Sequence, residues 1–259
     1  MTIDATGIDS FSVKQLGWRI PDPSLNKVAV WTYYKGALRD PGLDEGATTV
    51  AYLPEKGWFW YIPLPDDVVS VGIVAAPSYL YREGRDPERM FRREIEQNDW
   101  IRRHLEPGQN LGYYRAKSDY SYRSRYVARD GLVLTGDAFS FLDPVFSSGV
   151  FLALRGGELA ADVVDAALRD HDVSAERFDV YGETLCQGIE AMRKLVYAFY
   201  DHEFSFRELL NKYPHFRGDL TDCLIGNLFI DFDPLFQAVS EFAAVPPPLA
   251  HGRSMAPSR

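Results

Sequence analysis

The sequence predicts a mixed α/β (α+β) fold: an antiparallel sheet early in the chain, one short strand running into a long helix, and a helical C-terminal region. Three observations carry that expectation. Residues 57–64 and 68–74 are apolar runs joined by Pro65, Asp66 and Asp67, a composition that turns a chain back into a hairpin. Residues 131–134 (Gly-Leu-Val-Leu) read as a wholly apolar strand leading into Gly136-Asp137-Ala138, with a helix opening at Gly149. After Ser174 the pattern stays helical to about Phe242, broken near Pro214 and Pro234.

In chain order, residues 1–9 read as a strand end followed by the turn Asp4-Ala5-Thr6-Gly7. Val28, Val30, Trp31, Thr32 and Tyr33 mark a strand over 25–34, and Thr48 to Tyr52 mark another. Between Asp86 and His104, Met90, Phe91, Ile95 and Ile101 recur at helical spacing among charged residues that form a solvated face. Residues 113–126 interleave tyrosines with Arg115, Lys117, Arg123 and Arg125. That alternation describes either a strand with one wet face or a single-stranded nucleic-acid surface, and the strand is preferred. In the helix from Gly149, Leu152, Ala153, Gly156, Ala160, Val163, Val164 and Ala167 fall on one stripe. The stretch from Val245 has too little apolar content to order itself.

Composition narrows the functional classes. The 259 residues carry 28 Lys and Arg against 37 Asp and Glu, a net charge of -9 that opposes general attraction to nucleic acid or an anionic membrane. Asp4, Asp9, Lys14 and Arg19 interrupt any N-terminal targeting segment, and no uncharged run is long enough for a membrane span, so a cytoplasmic protein is expected. Cys186 and Cys223 read as buried small hydrophobes. The five histidines lack metal-ligand spacing, and Asp231 and Asp233 read as a capping turn before Pro234.

The stretch Gly136 to Gly149 has the chemistry of a binding loop. Unpaired N–H groups at a helix N-terminus attract an anion or an electron-rich ring, Gly149 allows close approach, and Gly136 permits the turn that presents Asp137 to sugar or ribityl hydroxyls. A plain strand-to-helix turn with a capping serine is the alternative on these residues alone.

The whole segment Gly136 to Leu154 resembles the second flavin-contacting motif of the flavin-dependent halogenases, within the class of FAD monooxygenases built like p-hydroxybenzoate hydroxylase. Trp58-Phe59-Trp60-Tyr61-Ile62-Pro63 matches the W-x-W-x-I-P signature of that branch, and Asp4-Ala5-Thr6-Gly7 resembles the turn at which its nucleotide domain gives way to the substrate domain. Phe199 to Leu210, with Gly226-Asn227, is similar to the family's C-terminal helices. The resemblance implies residues 1–9 as the end of an FAD-domain strand, 10–128 as a substrate-binding sheet domain, 129–172 as the FAD domain's return strand and helix, 173–244 as a C-terminal helical region and 245–259 as a disordered tail.

It also implies a reaction. Reduced FAD, supplied by a flavin reductase, forms a C4a-hydroperoxide whose distal oxygen a halide attacks, and the hypohalous acid halogenates an aromatic substrate. The halide would rest on the amides of Ser148 and Gly149. FAD would be held by Gly136, Asp137, Asp143, Pro144, Ser147, Ser148, Gly149, Asp4 and Gly7. Trp58 and Trp60, assigned to the reaction itself, would line the space between flavin and substrate, and Asp119 would approach the flavin from a strand.

Two departures shape the expectation. Phe146 stands where tryptophan-type enzymes have a Glu, which favours a phenol or pyrrole substrate, with a carrier-protein-bound form among the options. The G-x-G-x-x-G fingerprint is absent from the chain, and none of its lysines matches the position of the catalytic lysine. A mis-called start, a truncation or a separate FAD-domain chain would each account for this. A flavin monooxygenase, a geranylgeranyl-reductase-like enzyme and a noncatalytic binding module are the remaining alternatives.

Overall fold

The computed structural model of the chain describes residues 1–118, 121–250 and 252–255. In chain order the strands are β1 (Thr2–Asp4), β2 (Arg19–Pro21), β3 (Val28–Lys35), β4 (Thr49–Tyr52), β5 (Trp58–Leu64), β6 (Val68–Ala75), β7 (Gln109–Asn110), β8 (Arg115–Ser118), β9 (Tyr122–Ser124), β10 (Ala128–Arg129), β11 (Leu132–Leu134) and β12 (Ser140–Phe141). The α-helices are α1 (Phe11–Gln15), α2 (Pro77–Leu80), α3 (Pro87–Ile95), α4 (Asp99–Leu105), α5 (Gly149–Arg169), α6 (Asp179–Tyr200), α7 (Phe206–Lys212), α8 (Arg217–Ile225) and α9 (Asp233–Val239). They group into two compact units, Met1–Leu25 with Tyr120–Arg259, and Asn26–Asp119. The sheet unit is therefore narrower than the 10–128 expected, because β2 pairs with β9 in the other unit.

In the unit 26–119, an antiparallel sheet runs β4-β5-β6-β3-β7, with β8 also paired to β3. The β5–β6 hairpin closes as expected at Leu64 opposite Val68. Asp66 and Asp67 both adopt positive φ, 59° and 58°, the twist that suits a two-strand turn. Strand alternation sends Val28, Val30, Phe59, Tyr61, Val71 and Ile73 into one core with Met90, Phe91, Ile101 and Leu105 of α3 and α4. The expected single helical segment over 86–104 is two helices. The first ends at Ile95, and Asn98 caps the second by accepting the Ile101 N–H at 3.0 Å, a local bond that competes with helix continuation. Among the described residues, the tyrosine and arginine run of 113–126 is divided between two sheets, with Arg115 and Lys117 on β8 and Tyr122 and Arg123 on β9.

In the other unit, β1 and β11 pair in parallel, with β10 beside β11, while β12, β9 and β2 form a small antiparallel sheet. Leu152, Gly156, Ala160, Val164 and Ala167 of α5 are buried as the stripe predicted, whereas Ala153 is exposed. A side chain at Gly156 would sit 2.8 Å from the Thr135 hydroxyl, so glycine lets α5 press against the end of β11. Helix α6 stops at Tyr200 without a proline, and Ser205 begins α7 by accepting the Glu208 N–H.

The region expected to be a structureless tail makes specific contacts. The Arg193 guanidinium donates to the Pro247 carbonyl at 2.5 Å, the Met255 N–H donates to the Ala128 carbonyl at 2.7 Å, and Ser254 bridges to Ala128 beside β10. Backbone pairing, with Gly252 wedged against Gly182 and Cys186, holds the described residues 252–255 in place of apolar burial. Among the described residues no helix is long and apolar enough to cross a membrane, and no cluster of His, Cys, Asp and Glu is suited to a metal. Cys186 and Cys223 are free and buried, and burial pushes both thiols up to about 12.

Candidate functional site

The site is built where two parallel strands end side by side. The register pairs Asp4 of β1 with Leu134 of β11, and the Thr135 N–H donates to the Asp4 carbonyl at 3.1 Å. The turns that follow β1 and β11 therefore leave from the same edge, the carboxyl end at which parallel strands commonly hold ligands. Asp4 pins the first turn. One of its oxygens accepts from the Thr6 N–H at 2.9 Å and hydroxyl at 2.6 Å, and the other accepts from the Ser12 N–H at 2.7 Å. Burial alone would raise its carboxyl, but the bonds from Thr6 and Ser12 together outweigh burial and hold it below the usual range. Gly7 follows with φ of 64° and open space at its Cβ position.

The second turn carries the candidate binding loop. Gly136 takes φ of 56°, and a Cβ there would come within 3.2 Å of Ala153, so the glycine both turns the chain and seats it against α5. The chain then passes through Asp137, β12 and a short 3-10 turn at Pro144–Phe146 before Ser147, in the left-handed region at φ of 55°, aims it into α5. A cleft of about 290 Å³ opens here, at the lower end of ligand-site volumes. Asp137, Ser140, Phe141, Leu142, Pro144, Ser147, Ser148, Gly149, Val150 and Leu152 line it. Nothing lies within 4 Å of a Cβ built on Gly149, and the first N–H groups of α5 have no partner within the helix. Ser148 precedes the helix without making a side-chain cap bond, so the simple capping turn is not what the sequence builds. Burial in the cleft raises the Asp137 carboxyl above the usual range, so its charged form is held at a cost that hydrogen-bond donors from a ligand would offset.

The loop is braced from below. Asp143, fully buried, accepts the Val145 N–H at 3.1 Å on one oxygen and the Tyr200 hydroxyl at 3.0 Å on the other. Phe146 meets Phe199 and Phe206 edge-on, at 5.7 Å and 6.3 Å between ring centres. Tyr122 donates its hydroxyl to the Asp137 carbonyl and stacks on Phe141 at 6.4 Å.

Of the residues expected from the sequence, Asp137, Pro144, Ser147, Ser148 and Gly149 share the cleft, Gly136 adjoins it, and Asp143 supports it from the interior. Asp4 accepts on one oxygen from Thr6 in its own turn and on the other from Ser12 of α1. Trp58 and Trp60 lie on β5 in the sheet unit, and Asp119 lies outside the described residues. Ser140–Leu142 lie within the Gly136–Leu154 stretch and Tyr200 within Phe199–Leu210, but the motifs assign no role of their own to these residues or to Tyr122. Only the pairing of β9 with β12, and the end of α6 folding over the loop, reveal them.

Comparison with known proteins identifies the family and the fold. The sequence model of the family described as tryptophan halogenase matches residues 1–207. A 1H-pyrrole-2-carbonyl peptidyl-carrier-protein chlorinase of Pseudomonas fluorescens is 27% identical over 235 residues, covering 88% of this chain and 52% of its own. A tryptophan 2-halogenase of Chondromyces crocatus is 35% identical over 171 residues, covering 64% of this chain and 32% of its own. The solved structure of the flavin-dependent brominase Bmp2 superposes with a TM-score of 0.84 at 26% identity, over 92% of this chain and 61% of that one. The chain thus spans about half the length of the pyrrole chlorinase it matches. With the family match running through both glycine turns, the indole strand and the loop before α5, the chain belongs to the tryptophan halogenase family.

Proposed function

We propose that this chain forms the substrate sheet and the halide-facing loop of an FAD-dependent halogenase acting on an electron-rich aromatic such as a phenol or pyrrole. The observation that carries the proposal is the open N-terminus of α5 at Gly149, facing a cleft that also holds the Asp137 carboxylate. The donor set fits the group: free N–H groups suit an anion, Asp137 suits ribityl hydroxyls, and the absence of a side chain at Gly149 leaves room for a planar ring. When bound there, reduced FAD would supply two of the four electrons that take dioxygen to hypohalous acid and water, the halide supplying the other two.

The chain's own residues then have distinct tasks. Ser148 and Gly149 bind the halide through backbone N–H groups. Asp143, held by Tyr200, keeps Ser147 in the conformation that aims those groups. Trp58 and Trp60 form an aromatic wall of the substrate space. Phe146 in place of a carboxylate suits a ring that is already electron-rich. The carrier-bound pyrrole named for the Pseudomonas relative supports that substrate class, with the ring delivered on a carrier protein.

The ADP half of FAD calls for a G-x-G-x-x-G unit, which this sequence does not contain. We place that unit on a further domain or a separate chain. In support, β1 is the outer strand of its sheet among the described residues, and Val150 and Leu154 of α5 are exposed. A flavin reductase supplies the reduced cofactor, and the two buried thiols suit a reducing cytoplasm.

The test is halide-dependent chlorination or bromination of a phenol or pyrrole by the chain assembled with an FAD-domain unit and a reductase. Hydroxylation that ignores halide would instead make it a monooxygenase. The 259-residue chain alone is expected to bind FAD weakly or not at all, and stoichiometric tight flavin on it would overturn the division of labour.

A further inference from the structure

On β5 and its neighbours, three indoles share the sheet face opposite the helix-packed core. Trp60 of β5 and Trp31 of β3 both lie directly across from Gly72, the one on each side of the central strand β6. A Cβ built on Gly72 would fall 2.2 Å from Cζ2 and 2.4 Å from Cη2 of Trp60, so the indole occupies the place where any other residue would put its side chain. The edge of the ring is fixed as well, because Trp60 Nε1–H donates to Ser70 Oγ at 3.1 Å. Trp31 and Trp58 flank it at 6.3 Å and 6.1 Å between ring centres.

A tryptophan on a sheet surface ordinarily samples several rotamers. Here a missing side chain beneath, a hydroxyl at the edge and an indole on either side select one. We infer that Gly72 and Ser70 are positioning residues for Trp60, and that the indole they hold flat forms, with Trp31, a shelf for a flat electron-rich aromatic ring. The inference rests on the halogenase assignment for its substrate class, while the locked indole stands on the sheet geometry alone. Trp31 becomes a specificity-determining residue outside the W-x-W-x-I-P signature. Its ring sets how far a substrate can extend across Gly72 toward β3. A side chain at position 72 would lever Trp60 off the sheet into the space the substrate ring needs.

The experiment compares the full chain with Gly72→Ala, Ser70→Ala, Ser70→Thr and Trp31→Phe, using Trp60→Phe to identify the Trp60 signal. Near-ultraviolet circular dichroism reads the coupling of the indoles, and quenching of indole fluorescence by pyrrole-2-carboxamide reads the shelf. Gly72→Ala and Ser70→Ala are expected to move the dichroism toward that of Trp60→Phe and to weaken probe binding about fivefold, as loss of one aromatic contact does. Ser70→Thr, which keeps the hydroxyl, is expected to restore both signals. Trp31→Phe is expected to weaken the probe while leaving the Trp60–Ser70 bond in place. Should Gly72→Ala fail to fold, Ser70→Ala carries the test.

Dichroism unchanged in Ser70→Ala would overturn the positioning role, and absence of saturable probe binding to the parent chain would overturn the shelf. An assembled enzyme that halogenates nothing, with both spectroscopic responses intact, supports the positioning role and removes only the reaction assigned to it.

Discussion

The hydroxyl of Tyr200, in the last turn of α6, donates to Oδ2 of Asp143 at 3.0 Å and ties the loop before α5 to the C-terminal helices. Asp143 is fully buried, so its two oxygens need partners, and Tyr200 and the Val145 N–H supply them. Tyr200→Phe keeps the ring that meets Phe199 but removes one hydrogen-bond donor from the buried carboxylate. A loss of about 1–3 kcal/mol in urea unfolding is expected. In the assembled enzyme halide affinity should fall further than substrate affinity, because the brace acts on the helix start.

Gly149→Ala tests the open helix end from the other direction. With nothing within 4 Å of the new Cβ, the fold should tolerate the change to within about 0.5 kcal/mol by thermal unfolding. The methyl group projects into the space assigned to halide and flavin, so the bromide concentration for half-maximal halogenation should rise about tenfold. Unchanged bromide dependence would move the anion site elsewhere.

Asp4 predicts a particular response to acid. Its folded carboxyl titrates below the ordinary value, so the stability it contributes is complete above the unfolded pKa of about 3.9 and is lost as pH falls through the folded one. Asp4→Asn turns an amide N–H₂ toward a backbone or hydroxyl donor now served by a carboxylate oxygen. The variant should melt lower at pH 7, and the gap to the parent should narrow below about pH 4.

Asp137 has the opposite sign. Burial raises its carboxyl, so folding is penalised when the group is ionised, and stability should recover as pH falls through the raised folded value. Asp137→Asn should therefore melt at or above the parent temperature at pH 7 when no ligand is bound. The same change should weaken flavin binding in the assembled enzyme, a trade of stability for function.

The exposed face of α5 is a further expectation. Val150 and Leu154 are 74% and 69% exposed on one side of the helix. Leu154→Glu should reduce self-association of the chain in sedimentation velocity while leaving its far-ultraviolet dichroism unchanged. If the parent chain is already monomeric at high concentration, the face is not an adhesive one.

Much of the fold was legible because its elements are governed by local rules. The hairpin over 57–75 follows from two apolar runs and a turn that Asp66 and Asp67 close in the left-handed region. The stripe on α5 follows from helical spacing. The break at Asn98 was not legible, because its side chain can either face solvent or cap the next helix, and the neighbouring Ile101 decides between them. The contacts made by residues 247–250 and 252–255 were hidden for a similar reason: composition counts apolar burial, whereas Arg193, Gly182 and Ala128 hold these residues through hydrogen bonds to their backbone and close glycine contact.

The sequence by itself determined the family and marked the candidate loop, since Gly136-Asp137 and Ser148-Gly149 close the two ends of one short stretch between a strand and a helix. Tertiary structure alone decided what braces that loop and what holds the indoles. Tyr200 stands 57 residues from Asp143, and Gly72 lies across a strand from Trp60. Neither pairing leaves a periodic trace in the chain, because hydrogen-bond and van der Waals contact depends on distance in space, which only the packed sheet and helices establish.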